Sequence, residues 1–380
     1  MDHLQCQRHL FDLSPDITYL NCAYLSPLLN SSITEGIKGM RRKSRPNEVA
    51  KEDFFEPLEE LKLAFAGLID CENPQRIALQ PSASYGIATV VKNLRPKKNG
   101  NIVLLHEQFP SNVYSYRDFA DRHDVEIRTV RPAEPGLTVH RWNEGILSAI
   151  DDDTICVSCP HIHWSDGSII DLKMIRQKTL EHRALLIVDG TQSVGAMPFS
   201  VSDVRPDALI CAAYKFLLGP YSTCLSYYGP AFDDGSPLEY NWITREQSDH
   251  FGNLVEYQDA FRPFAFRYNM GECSNFIMIP MLLESIRQLV RWNPARIQTY
   301  CQDIVRSFLD AIKEKGYEFV ESERANHLFG IYLSEDSDPK IITEALEKQK
   351  IFVSFRGKAI RISPYLYNEQ SDLDRLLQCL

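Results

Sequence analysis

Lys215 stands in the stretch CAAYKFLLGP, Cys211 to Pro220, with apolar residues on either side. Burying an unpaired ammonium is costly, so such a position favours the neutral amine. A neutral amine can attack a carbonyl to form a Schiff base. Asp189, in ALLIVDGTQSVGA, directly follows another apolar run, with Gln192 a short step further on. Phe109, just beyond NIVLL, is an aromatic able to stack on a flat ring. The turn Pro81-Ser82-Ala83-Ser84 lies between the run RIALQ and a helical pattern expected to start near Tyr85. Ser82 and Ser84 are helix-capping residue types, and free N–H groups at a helix start attract anions, typically phosphate.

Pyridoxal phosphate requires a lysine, a carboxylate for its pyridinium nitrogen and a cup for its phosphate. Lys215, Asp189, Phe109 and the Ser82–Ser84 turn supply these parts. Each alone also reads as a capped helix, a core aromatic or a strand-end aspartate. Packing does not account for their order and placement together.

The elements that must position these residues are visible as short apolar runs separated by helical patterns. The runs are RIALQ, NIVLL, EIRTV, TICVS, ALLIV, ALICA and STCLSYY, between residues of about 76 and 229. Strands alternating with helices predict an α/β fold with a mostly parallel, doubly wound sheet. Ligands bind such sheets in the loops after the carboxyl ends of the strands. Beyond residue 277, MIPMLLESIRQLVRWNP reads as a helix stopped at Asn293-Pro294, and the next helix ends at Gly316. HLFGIYL, PKIITEALEKQK, IFVSF and AIRIS then predict a smaller α+β unit.

Composition narrows the partners. The formal net charge is -10, and the basic runs MRRKSR and RPKK are short, so nucleic acid is not an expected partner. No apolar run approaches the roughly 20 residues that span a bilayer. The N-terminus lacks the pattern of a secretory signal, and the 10 cysteines are scattered, which predicts free thiols in the cytoplasm. Cys156 and Cys159 form a CxxC close to His161 and His163. The segment alternates like a buried strand, which sends such candidates to opposite faces, and no metal is expected.

TYLNCAYLSP, PSASYGI, EQFPSNVY, HIHWSDGSIIDL, VDGTQSVGAMPFSV, YKFLLGP and AIRISPYLYNEQSDLDRL together resemble the class V aminotransferase family of pyridoxal-phosphate enzymes. That family includes cysteine desulfurases, selenocysteine lyases, kynureninases and isopenicillin N epimerase-like proteins. The resemblance implies the fold-type I scaffold, with a seven-stranded sheet in a large domain at 17–265. Residues 1–16 and 266–380 would form the small domain. It further implies a homodimer with shared active sites and a small amino-acid substrate, handled through Schiff-base and quinonoid chemistry.

By position, the resemblance makes Lys215 the catalytic, cofactor-bound lysine. Asp189 would pair with the ring nitrogen, Gln192 with the phenolic oxygen and Phe109 with the ring face. Backbone N–H groups of Ala83 and Ser84, and Tyr214, would bind phosphate. Trp164 would lie beside the cofactor, with His163 a weaker candidate. Arg361 would bind the substrate α-carboxylate, and Arg356 is a second candidate. Trp242 and Asn275 would complete the partner's phosphate site.

Two features depart from the family pattern. Desulfurases carry a catalytic cysteine shortly before the carboxylate-binding arginine, whereas none lies between Arg356 and Arg361 here. Ala212 stands where many relatives have a small polar residue. By overall pattern, the resemblance implies a selenocysteine lyase-like or isopenicillin N epimerase-like activity rather than a kynureninase. A class V aminotransferase is the alternative. A non-catalytic binding or regulatory protein on the same fold is a third reading, disfavoured by the intact Lys215, Asp189 and Arg361.

Overall fold

The computed structural model describes residues 3–131, 140–333, 338–357 and 359–380. The seven apolar runs all become strands: β1 Ile77–Gln80, β2 Asn101–Leu105, β3 Glu126–Val130, β4 Thr154–Pro160, β5 Leu185–Asp189, β6 Ala208–Ala212 and β7 Cys224–Tyr228. They form one sheet in the order β1-β7-β6-β5-β4-β2-β3. The neighbours from β6 through β3 are parallel, while β7 runs antiparallel to both β6 and β1. The predicted mostly parallel α/β sheet is what the chain forms.

Side-chain alternation explains why most of these runs are largely apolar, while β3, at the sheet edge, exposes Glu126 and Thr129. Val103, Val157, Val188 and Leu209 face one buried cluster, while Ile102, Cys156, Ile187 and Ile210 face a second on the other side of the sheet. A strand buried on both faces needs no polar positions. The same alternation separates the CxxC thiols, because Cys159 belongs to the first cluster and Cys156 to the second.

The helix Met278–Trp292 buries Ile279, Leu282, Ile286 and Leu289, a stripe at helical spacing, in the first cluster. It ends where expected. Asn293 takes φ +65° and its Oδ1 accepts from Ala295 N at 2.9 Å, while Pro294 opens the helix Pro294–Glu314. A second, four-stranded sheet comprises β8 Glu318–Phe319, β9 Phe329–Tyr332, β10 Ser354–Arg356 and β11 Ala359–Ile362, in the order β10-β11-β9-β8. The early segment Thr18–Tyr19 pairs in parallel with Ile351–Phe352, and Asn21 bridges to Ser363. Among the described residues, no helix is long and apolar enough to cross a membrane.

The turn after β6 is held from behind. Leu218 N donates to Lys215 O at 3.0 Å, Gly219 N to Ala213 O at 2.8 Å, and Ser285 Oγ reaches Leu218 O at 2.8 Å. Gly195 lies against this turn at φ +97°, where an added Cβ would sit 2.2 Å from Phe216 O. Gly195→Ala is therefore expected to lower stability by at least about 2 kcal/mol, since strain and backbone overlap add. Gly252→Ala, where a Cβ meets nothing within 4 Å, should stay within about 0.5 kcal/mol of the parent. Thermal melts of the two variants side by side check this pair of outcomes.

Candidate active site

Five strand ends converge on one cleft. Ala83 follows β1, Gln108, Phe109 and Asn112 follow β2, and Pro160, Ile162 and Trp164 end or follow β4. Asp189, Thr191 and Gln192 come from β5, and Ala212, Tyr214 and Lys215 from β6. The atom-free space of the cleft is about 440 Å³, part of it open to solvent. Four other hollows are larger, from 650 to 2180 Å³, but none is lined by a buried lysine. Chemistry, rather than size, marks the site.

Lys215 is only 6% exposed. Its Nζ lies 5.1 Å from the Phe109 ring centroid and 5.5 Å from that of Tyr214. Burial pushes its amine down to about 8; Asp189 opposes this shift, while the charges of Arg361 and Arg356 add to it. At such a value a substantial fraction of the amine is neutral near physiological pH.

Asp189 is anchored on both oxygens. Oδ2 accepts from Asn112 Nδ2, and Oδ1 accepts from Thr191 N at 2.9 Å. Thr191 Oγ1 in turn accepts from Ala212 N at 3.1 Å, tying β5 to β6. Gln192 Nε2 donates to Ala23 O at 3.3 Å. Behind it, His327 Nε2 lies 2.8 Å from Gln192 O, while Gln298 Nε2 lies 2.6 Å from His327 Nδ1. With Nδ1 accepting from Gln298, Nε2 carries the proton and donates to the carbonyl. The buried His327 thus pins the Gln192 backbone.

The helix after β1 runs Ala83–Lys92, two residues earlier than its expected start, because Ser82 is the cap: its Oγ accepts from Tyr85 N at 3.1 Å. The amides of Ala83 and Ser84 precede the first intrahelical bonds and remain available to an anion. Ser84 Oγ lies 2.9 Å from Ser82 Oγ. Tyr214 lines the cleft beside Lys215, its ring 4.6 Å from that of Tyr221.

Trp164 forms one wall. Its ring meets Phe109 edge-on at 5.6 Å and 84°, and its Nε1 donates to Glu107 O at 2.6 Å. His163, the weaker candidate, is not among the residues lining the cleft; it stacks on Trp142 at 5.1 Å and approaches Asp166 at 3.5 Å. Arg361 is 1% exposed, with Nη1 donating to Trp164 O at 3.1 Å. Burial, with Arg356 second, pulls its guanidinium down to about 9, which still leaves it charged at neutral pH.

Trp242 and Asn275 do not line this cleft within one chain. Trp242 packs on Phe54 at 6.4 Å and Phe251 at 5.8 Å, and Asn275 Oδ1 accepts from Met278 N at 2.8 Å, at the start of the Met278–Trp292 helix. Sequence reasoning missed Gln108, Asn112 and Thr191, whose types have too many ordinary roles to stand out. Their signal was placement just after β2 and β5.

Gln108 Nε2, Asn112 Oδ1, Gln192 Oε1, and Nε and Nη2 of Arg361 are buried polar atoms without a partner among the described residues. Buried polar groups are normally satisfied, so these atoms are free to receive a ligand. An amine, a carboxylate, an aromatic face, side-chain amides and a helix start in one cleft fit the aldehyde, ring nitrogen, ring face, substituents and phosphate of pyridoxal phosphate.

The family model described as Aminotransferase class-V matches residues 41–376. An uncharacterized aminotransferase, YcbU of Bacillus subtilis, is 23% identical over 322 residues, covering 84% of this chain and 82% of that protein. The hercynylcysteine sulfoxide lyase of Schizosaccharomyces pombe is 22% identical over 95% of this chain and 93% of its own length. Among solved structures, an apo cysteine desulfurase from Thermococcus onnurineus NA1 superposes with a TM-score of 0.84 at 16% identity, covering 100% of this chain and 98% of that one.

The Lys215 amine also affects stability. Its folded pKa lies below the ordinary 10.5, so between about 8 and 10.5 the unfolded chain binds more protons and folding gains stability as pH rises. Cofactor-free Lys215→Met is expected to be more stable than cofactor-free wild type by roughly 2–3 kcal/mol below pH 8. The advantage should shrink as pH rises through that window. Denaturant titrations at pH 7 and pH 10 measure it, and an advantage independent of pH would contradict the assignment.

Proposed function

Since the chain belongs to the class-V aminotransferase family and is a pyridoxal-phosphate-dependent enzyme, we propose that it is a lyase acting on an α-amino acid, selenocysteine lyase-like in chemistry. The observation that carries this reading is the buried Lys215 amine within electrostatic reach of Arg361, whose Nε and Nη2 have no partner among the described residues. An amine and a carboxylate receptor within reach of one another are what an α-amino acid presents its reacting carbon to.

Lys215 would hold the cofactor's aldehyde carbon, Asp189 its ring nitrogen, Phe109 its ring face and Gln192 a ring substituent. Ala83 and Ser84 N–H groups and Tyr214 would hold the phosphate. When bound, pyridoxal phosphate supplies an electron-withdrawing ring that stabilises negative charge at the substrate α-carbon. Arg361 fixes the α-carboxylate through two nitrogens and so orients the α-hydrogen. Lys215 Nζ takes that proton and can deliver it to the departing group, its lowered pKa suiting both directions. Phe109 and Trp164 exclude water from the reacting carbon.

The lyase reading is supported by the likeness to a sulfoxide lyase along nearly the whole chain. The absence of a cysteine between Arg356 and Arg361 disfavours persulfide formation, not elimination; residue 358 of that loop lies outside the described residues. An isopenicillin N epimerase-like reaction would use the same groups and is the second reading. The enzyme is further read as a homodimer in which Trp242 and Asn275 reach the partner's phosphate site. Trp242 at 41% and Tyr257 at 93% exposure give this region apolar surface. Free thiols at all ten cysteines suit a cytoplasmic setting.

Lys215→Ala should reduce kcat by at least about 10³-fold, and Arg361→Ala should raise KM by roughly 10- to 100-fold. A lyase releases the side-chain group with no amino acceptor added: elimination leaves a 2-oxo acid and ammonia, while selenocysteine lyase-like cleavage leaves alanine, with two electrons from an added thiol reductant. Turnover that depends on an added 2-oxo acid would instead assign a transaminase, and inverted stereochemistry without release an epimerase.

A further inference from the structure

Arg356 and Arg361 lie on one face of the small sheet. In the antiparallel pair of β10 and β11, Ser354 is opposite Arg361 and Arg356 opposite Ala359. Residues two apart on a strand share a face, so Arg356 is the diagonal neighbour of Arg361. Both guanidiniums approach the Trp164 ring, Arg356 at 5.4 Å and Arg361 at 5.7 Å from its centroid. Both also act on the Lys215 amine. The two arginines therefore border the cleft where a substrate meets that amine.

Neither arginine has a carboxylate partner among the described residues. Arg356 Nη1 donates to Phe355 O at 2.7 Å and Arg361 Nη1 to Trp164 O, while Arg356 Nε and two nitrogens of Arg361 are buried without a partner. The nearby acids are committed elsewhere. Glu107 turns toward His106, Asp166 toward His163 and Ser168 N, and Asp189 toward Asn112 and Thr191 N. Two like charges side by side repel, and evolution can avoid that arrangement cheaply by neutral substitution unless a ligand compensates it. One α-carboxylate compensates only one of them.

The geometry points to a substrate with two acid groups: an α-amino acid whose α-carboxylate sits on Arg361 and whose side chain carries a second carboxylate or equally charged acid to Arg356. This rests on the amino-acid reading of the site and narrows it to a substrate class. Arg356 is then the residue that sets specificity, with Trp164 as the flat surface along which the side chain runs.

The test uses the pyridoxal-phosphate-loaded enzyme, titrated with L-aspartate against L-asparagine and L-glutamate against L-glutamine. Binding is read by the change in cofactor absorbance and by the shift in Tm. In at least one pair the acid should bind about tenfold or more tightly than its amide. Arg356→Gln should bring that pair within about twofold, and Arg356→Lys should keep part of the preference. Wild type that binds acids and amides alike overturns the inference while leaving the amino-acid reading intact. So does a preference that persists in Arg356→Gln. If none of the four amino acids binds, the amino-acid reading itself falls and this inference falls with it.

Discussion

The desolvation of one amine organises this molecule. Lys215 is a charge-bearing residue placed where charge is unfavourable, at the end of β6 and against the Phe109 ring. Leaving it there costs stability that a simpler apolar residue would not, and the surrounding structure exists to make that cost useful. The sheet supplies the low-dielectric setting because both its faces are buried. Asp189 limits the shift, and the two arginines enlarge it. The result is an amine poised between its charged and neutral forms, the condition under which it can both attack and carry a proton.

Around this amine the cleft is rigid in its interior and open at its substrate side. Asn112, Thr191 and Ala212 link the ends of β2, β5 and β6 through the Asp189 carboxylate and the Thr191 hydroxyl. His327 and Gln298 extend this bracing to the helix Pro294–Glu314. By contrast, Gln108 Nε2, Asn112 Oδ1 and Gln192 Oε1, on residues that line the cleft, have no partner among the described residues. Satisfied atoms hold the frame, and unsatisfied ones define what the frame is for.

Much of this was legible in the chain because parallel strands buried on both faces produce uniform apolar runs with sharp ends. Lys215, Asp189 and Phe109 could be picked out as the polar or aromatic residues that follow such runs. What escaped was set by contacts distant in sequence. Asn112 is an ordinary amide until it meets Asp189, and His327 is unremarkable until it reaches the Gln192 carbonyl. The helix start at Ala83 rather than Tyr85 turned on which serine became the cap. Trp242 and Asn275 were placed by resemblance alone, and neither lines the cleft of its own chain.

The pairing of the early segment with the late one has a consequence for biosynthesis. Asn21 and Ser354, 333 positions apart, share a hydrogen bond, and Ala23, close behind Asn21, supplies the carbonyl that receives Gln192. Arg361 arrives on a strand next to Ser354. Translation must therefore pass residue 361 before Arg361 exists at all, although the last strand of the seven-stranded sheet is made by residue 228. Contacts of such separation close slowly. On the proposed roles, the residues of one chain that would hold the cofactor in its own cleft, Lys215 included, are all synthesised well before the arginine that would seat a substrate.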